Sequence, residues 1–270
     1  MVKYKSNFEK NGMNNMFNFD KRILYVILAI FVLKNITTRL TNTDSLLILV
    51  ITLPAILIAI TFHEFAHAFA ADKLGDNTPR SQGRLTLNPL KHIDPVGFAL
   101  LIVAGFGWGK PVQVNPVNYK RNISMTKADA IVAFAGPLMN FVLAIISTII
   151  LAVLFKFELL NNIPTQVVWI ILIFIMELVL INVGLGLFNL IPLPPLDGSK
   201  ILNHFLPTNA RRWLEQNQQI LYIVFVVIWI TGIAGLLISP CIQGVVRGLF
   251  GLIGNIFKID LKTLLKLFGI

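Results

Sequence analysis

Cysteine is all but missing from this chain: Cys241 is the single one among 270 residues, which excludes an intrachain disulfide scaffold. Charge is scarce as well, at 13% against about 25% in an ordinary soluble domain. So little polar surface cannot coat a water-facing globule of this size. Gly and Pro number 18 and 13 without any period, which removes collagen, and an apolar content of 56% removes disorder. Acidic residues are outnumbered 13 to 23 by basic ones, for a net charge of +10. The basic residues lie between apolar runs and form no block or stripe, so the charge reads as topological and no nucleic-acid partner is expected. With a mean hydropathy of +0.75, a protein of the lipid bilayer is the reading that remains.

Four apolar runs, at about 45–71, 131–155, 167–191 and 219–239, each reach the roughly 20 residues that cross a bilayer. A fifth, at 23–39, is short because Lys34 and Arg39 interrupt it and have to snorkel, and no small-residue cleavage site follows it. Residues 1–22 are polar, rich in Asn and without apolar periodicity. Two stretches are ambiguous. Residues 96–106 are apolar but too short to span and are fenced by Pro95, Gly105, Gly107 and Gly109, as in a re-entrant or interfacial segment. Residues 241–268 carry Arg247, Lys258, Lys262 and Lys266 among Leu, Ile and Phe, which suits either a sixth span or an amphipathic helix on the membrane surface.

Loop charge orients these spans. The segment 72–129 holds eight basic residues and the tail before residue 23 holds five, whereas the loop at 156–166 has only Lys156. Both basic regions belong in the cytosol, and they share it only if the chain crosses twice between them. That argues for the span at 23–39 and for a cytosolic N-terminus.

The residues that carry chemistry begin with His63, Glu64 and His67, which form HExxH at the cytosolic end of an apolar run. On a helix, positions four apart are separated by about 400°, so the two imidazoles project from nearly one face and can share a zinc ion. Glu64 points about 100° away with the reach to touch a water on that ion. With four His and five Glu in the chain, chance produces this pattern about once in a thousand random arrangements. Two core histidines with hydrogen-bond partners are the bland alternative, which leaves a carboxylate inside an apolar helix unexplained.

A catalytic zinc usually takes three protein ligands and a water. His92, His204, Asp94, Glu177 and Asp197 are the candidates for the third. Asp197 sits in NLIPLPPLDGS, where Pro192, Pro194 and Pro195 break the 167–191 run. Irregular backbone at membrane depth persists only where it is buried in protein or lines a water-filled cavity, a good place for a ligand. The same Asp before Gly198 also suits a plain turn. A further element, AFAGPLMNF, places Asn140 one turn after Gly136 on the same helix face. Asn140 there either hydrogen-bonds a substrate or oxyanion or bonds a neighbouring helix that Gly136 lets approach.

HEFAH, AGPLMN and NLIPLPPLDG, in that order on successive apolar spans, resemble the site-2 protease family of intramembrane zinc metalloproteases. The resemblance runs from about residue 45 to 240 and includes GRLTLNPLKHIDPVG (83–97) and GFGWGKPVQVNP (105–116), which look like the connecting segment of the family's compact members. It implies His63, His67 and Asp197 as zinc ligands, Glu64 as catalytic base and acid, and Asn140 as a residue that helps to hold substrate or oxyanion. The PDZ or CBS domains frequent in the family have no room here, because the longest polar stretch, 72–130, is mostly occupied by the family-like connector, so a compact member without them is expected.

The expected fold is an all-α polytopic membrane protein of five or six transmembrane helices, with a re-entrant or short β-containing connector between the HExxH helix and the next span. It divides into a cytosolic tail (1–22), an intramembrane metalloprotease core (23–240) and an amphipathic or sixth membrane segment (241–270). The expected function is zinc-dependent cleavage of single-span membrane proteins near the cytosolic face of a bacterial or archaeal cell membrane, in regulated proteolysis or clearance of signal-peptide remnants. A membrane metal-ion transporter and a non-catalytic membrane-binding homologue are the alternatives. Neither a substrate nor an oligomeric state can be read from the residues.

Overall fold

The computed structural model describes residues 43–104 and 107–270. The polar tail at 1–22 and the short apolar run at 23–39 lie outside the described residues, and with them the side of the membrane on which the chain begins. Among the described residues the protein is helical, with no β-strand. Its β-character is one isolated bridge between Ile93 and Gly109.

Three long helices build the centre. Helix α1 (Thr43–Lys73) carries HExxH near its C-terminal end, α3 (Met125–Lys156) carries AGPLMN, and α4 (Thr165–Asn189) leads into the proline-rich break. Each is long and apolar enough to cross a membrane. Alanines 55, 59, 66, 68 and 71 are buried on α1. Without bulky side chains there, α3 and α4 approach its backbone closely, the way helices associate in lipid where burial of apolar surface supplies no drive between them. The opposite faces stay apolar: Ile145, Ile146, Ile149 and Ile150 of α3 and Trp169 and Ile170 of α4 are exposed, the surface that lipid covers.

Between α1 and α3 runs the connector, with α2 (Pro95–Ala104) inside it. Its expected re-entrant or short β-containing stretch is thus, among the described residues, a ten-residue helix plus the single Ile93–Gly109 bridge. Asp76, fully buried just after α1, pins the connector's far end. It accepts hydrogen bonds from the Thr78 and Asn115 backbone N–H groups (3.0 and 2.6 Å), the Thr78 hydroxyl (2.5 Å) and Asn118 Nδ2 (3.0 Å). Burial alone would raise its carboxyl, but these donors outweigh it and hold it below the usual value.

After α4 the chain breaks at residues 190–196 and restarts as α5 (Asp197–Phe205) and α6 (Thr208–Gln216). The run at 219–239 does not form one span. It divides at Thr231 and Gly232, the latter in the left-handed region (φ 77°), into α7 (Gln218–Ile230) and α8 (Ile233–Phe257). Among the described residues the fourth helix of spanning length is therefore α8, which crosses the 240/241 boundary expected between core and tail segment. Hydropathy alone joins α7 to α8 because the turn between them is itself flanked by Trp, Ile and Ala. Lys258 ends α8 (φ 57°) and turns the chain back into α9 (Lys262–Leu267). Leu261 and Leu265 there join the buried cluster that also holds Val246 and Phe250 of α8 and Met176 and Val179 of α4.

Candidate metal centre

His63 and His67 stand one turn apart on α1, and α5 brings Asp197 to them as its first residue. Nε2 of the two imidazoles lie 3.0 Å apart. Asp197 Oδ2 is 3.2 Å from the first and 3.1 Å from the second. The Asp197 carboxylate, at the first position of α5, faces the histidines.

The protonation pattern shows what this triangle is suited to hold. His63 Nδ1 lies 2.6 Å from Asn140 Oδ1, and His67 Nδ1 lies 2.7 Å from the Val132 carbonyl oxygen. Both oxygens only accept, so both Nδ1 atoms donate, and in neutral imidazoles both Nε2 atoms are left as lone-pair acceptors. Two nitrogen lone pairs and a carboxylate oxygen thus converge with no proton among them, a repulsive arrangement that a cation at the centre converts into an attractive one. Ligand atoms around a tetrahedral zinc at its usual bond lengths sit about 3.3 Å from one another, close to the observed edges. Among the described residues this is the only group of three or more His, Cys, Asp or Glu so placed. Each histidine also has the outer hydrogen bond from Nδ1 that metal-binding imidazoles use to fix their tautomer.

Two glycines make the approach possible. A Cβ at Gly136 would stand 2.5 Å from His67 Nε2 and 2.6 Å from His63 Cε1, so only glycine lets α3 pass this close to the imidazoles. At Gly198 a Cβ would stand 2.3 Å from the Leu190 carbonyl oxygen, so glycine after Asp197 lets α5 start tight against the end of α4.

Glu64 points away from the triangle toward the connector, where its Oε2 accepts a hydrogen bond from the Val112 backbone N–H (2.8 Å). That stretch is held from behind by Arg84. Its guanidinium is nearly fully buried and donates to the carbonyl oxygens of Lys110 and Pro111, and to Nδ1 of His92 at 3.4 Å. Burial pushes the Arg84 guanidinium below its ordinary value, and the field of Glu64 partly offsets this. His92 completes the brace by donating from Nε2 to the Thr86 carbonyl oxygen (2.8 Å), and burial holds its pKa below the ordinary histidine value.

A cavity of about 500 Å³ opens over the site. Its polar floor is His63, Glu64, His67 and Asp197. Its walls come from Trp108, Val112 and Val114 of the connector, Phe188 and Asn189 of α4, and Tyr222, Phe225 and Trp229 of α7. Phe188 packs edge-on against Trp229, ring centres 4.9 Å apart. Mostly apolar walls with a few converging polar groups at one end are the usual make-up of a ligand-binding site.

A family model described as "Peptidase family M50" matches residues 51–175 and 164–232. The chain belongs to this family, the site-2 proteases. Among curated relatives of this M50 chain, "Putative zinc metalloprotease YwhC" of Bacillus subtilis is 38% identical over 212 residues, 78% of this chain and 92% of the relative. "Putative zinc metalloprotease Rip2" of Mycolicibacterium smegmatis is 32% identical over 179 residues, 65% of this chain and 64% of the relative. "Putative zinc metalloprotease MJ0611" of Methanocaldococcus jannaschii is 33% identical over 158 residues, 58% of this chain and 72% of the relative. No solved structure matches at a significant level.

In this M50 chain, the other sequence candidates fall elsewhere. Asp94 accepts from the Gly97 N–H (2.8 Å) at the start of α2, and His204 Nδ1 faces the Thr126 hydroxyl (3.4 Å). Glu177 sits half-buried in mid α4, outside the metal triangle. Asn140 is fully buried and committed within the protein: Oδ1 to His63, Nδ2 to the Ala59 carbonyl oxygen (3.2 Å) and to Asn182 Oδ1 (2.8 Å). Sequence reasoning missed Arg84 and Asn182. Asn182 had a signal, a lone amide in the middle of an apolar span, where such groups bond across helices. Arg84 had none, because an arginine in a polar connector looks solvated.

Proposed function

We propose that this protein is a zinc-dependent intramembrane endopeptidase that cleaves single-span membrane proteins at bilayer depth near the cytosolic face. The observation that carries the reading is the triangle of His63 Nε2, His67 Nε2 and Asp197 Oδ2 with Glu64 beside it on the same cavity. The three would hold zinc, which supplies a Lewis acid that acidifies water and polarises a peptide carbonyl. Glu64 takes the proton of the attacking water and passes it to the leaving amine. Asn140 serves as a positioning residue for His63, a role its commitments favour over direct contact with substrate.

A helical substrate hides its carbonyls in internal hydrogen bonds, so it unwinds before it is cut. Its extended stretch lies along residues 107–115, with apolar side chains against the aromatic wall of α7. In this reading the charge balance of the loops places the N-terminus and the connector in the cytosol of a bacterial or archaeal cell. Regulated proteolysis and removal of signal-peptide remnants both suit such a site.

The test is Glu64→Gln in the full chain, purified in detergent and assayed on a single-span substrate. The side chain keeps its size and the three ligands are untouched, so zinc content stays at the wild-type level while cleavage falls about 10²- to 10⁴-fold. Undiminished cleavage overturns the role of Glu64. A wild-type protein that carries zinc and cuts nothing favours a transporter or a silent homologue.

A further inference from the structure

We infer that Asn182 of α4 is a positioning residue for the metal centre, acting on His63 through Asn140 from two helices away. The inference rests on the proposal that His63 binds the metal, and it adds a residue that touches neither ion nor substrate.

The polarity of the relay runs one way. Asn182 Nδ2 donates to the Leu178 carbonyl oxygen of its own helix (2.8 Å), which leaves Oδ1 facing α3 as an acceptor. Asn140 Nδ2 donates to that oxygen (2.8 Å) and to the Ala59 carbonyl oxygen (3.2 Å). With both of its N–H groups so used, the Asn140 amide has only one orientation, and Oδ1 faces His63 Nδ1 at 2.6 Å. His63 must then carry its proton on Nδ1 and present Nε2 to the metal. An amide flipped at Asn140 would set an N–H against Nδ1–H and favour the other tautomer, whose Nε2 carries a proton and cannot coordinate.

Asn140 and Asn182 are both fully buried on helices that traverse the membrane, where an unsatisfied amide is costly. A leucine at 182 keeps the γ-branched shape of asparagine and puts methyl groups where the amide oxygen and nitrogen stood. Its cost is therefore specific: Asn140 Nδ2 loses one of two acceptors and the amide loses part of its bias. Outer-sphere partners of metal-bound histidines are worth about 10- to 100-fold in metal affinity. The effect of Asn182 is expected at the lower end, since the Ala59 carbonyl remains.

The experiment measures the zinc dissociation constant of the detergent-solubilised full chain by chelator competition, at equal folded amounts. Wild type, Asn182→Leu, Asn182→Asp, Asn140→Ala and the double variant Asn140→Ala/Asn182→Leu are compared. Val179→Ala, which removes buried packing on the same helix, is the control for loss of stability alone, and His67→Ala the control for loss of a ligand. Asn182→Leu is expected to weaken zinc about tenfold and to add nothing once Asn140 is alanine, because the relay is then already cut. Asn182→Asp keeps an acceptor oxygen for Asn140 and is expected to restore affinity to within about threefold of wild type. Val179→Ala is expected to leave affinity unchanged. Wild-type affinity in Asn182→Leu, or equal losses in both Asn140 backgrounds, overturns the relay while the zinc reading stands, provided His67→Ala loses the ion. If wild type itself binds no zinc, the metal reading fails and this inference fails with it.

Discussion

Gly136 of α3 stands so close to His67 that a single added carbon would lie 2.5 Å from Nε2. The contact couples helix packing to chemistry, because the residue that lets α3 reach α1 is also the one that keeps the metal-facing nitrogen free. Gly136→Ala is expected to push the imidazoles off their common point and to lower zinc affinity at least tenfold. An alanine on an apolar helix is otherwise a mild change that favours the helix, so circular dichroism should be preserved. Zinc titration of the variant against wild type checks it, and unchanged affinity would mean the helices separate here without effect on the site.

Asp197 differs from a turn residue in what Asn does in its place. As a ligand it contributes the one anionic donor beside two neutral imidazoles, and an amide oxygen in its position holds a divalent cation less well. As a turn former Asn is nearly its equal. Asp197→Asn is therefore expected to lose zinc during dialysis against a mild chelator while keeping its melting temperature in metal-free buffer. Metal content measured beside His67→Ala decides the point.

Arg84 braces the carbonyls of Lys110 and Pro111, and the next N–H, that of Val112, meets Glu64. Arg84→Ala is expected to let this stretch drift and to reduce cleavage about 10- to 100-fold, a scale set by the sensitivity of catalysis to misplacement of about 1 Å. Zinc content should be unaffected, since no ligand is touched. Arg84→Lys keeps the charge but not the planar fork that serves two carbonyls and His92, so it is expected to recover only part of the activity. Recovery to the wild-type rate would assign the effect to charge alone.

Asp76 makes docking of the connector pH-dependent. Its folded-state pKa lies below the ordinary 3.8, so its contribution to stability is full above that value and is lost as pH falls through the lower folded one. Asp76→Asn removes the charge-assisted acceptors and is expected to melt below wild type at pH 7. The gap should narrow as pH falls below about 4. Melting curves of the two proteins over that range test the sign, and a gap that widens in acid contradicts it.

What could be read from residues alone follows the range of the forces involved. His63, Glu64 and His67 were legible because their relation is set by the pitch of a single helix, and the long apolar runs because a bilayer demands a minimum length. The broken end of α4 was legible through Pro192, Pro194 and Pro195, which cannot continue a helix. Hydropathy failed at residues 219–239, where it sums over side chains and is blind to the backbone turn at Gly232.

Tertiary structure alone brings Asp197 to histidines 130 and 134 positions earlier in the chain, turns Asn140 toward His63, and joins Asn182 and Arg84 to the site. These relations depend on how closely α1, α3, α4 and α5 approach one another. That distance is decided by small residues on facing surfaces, Gly136, Gly198 and the alanines of α1, whose effect exists only once the helices meet. A hydrogen bond is directional and reaches about 3 Å, so an amide in an apolar run has no partner until packing supplies one.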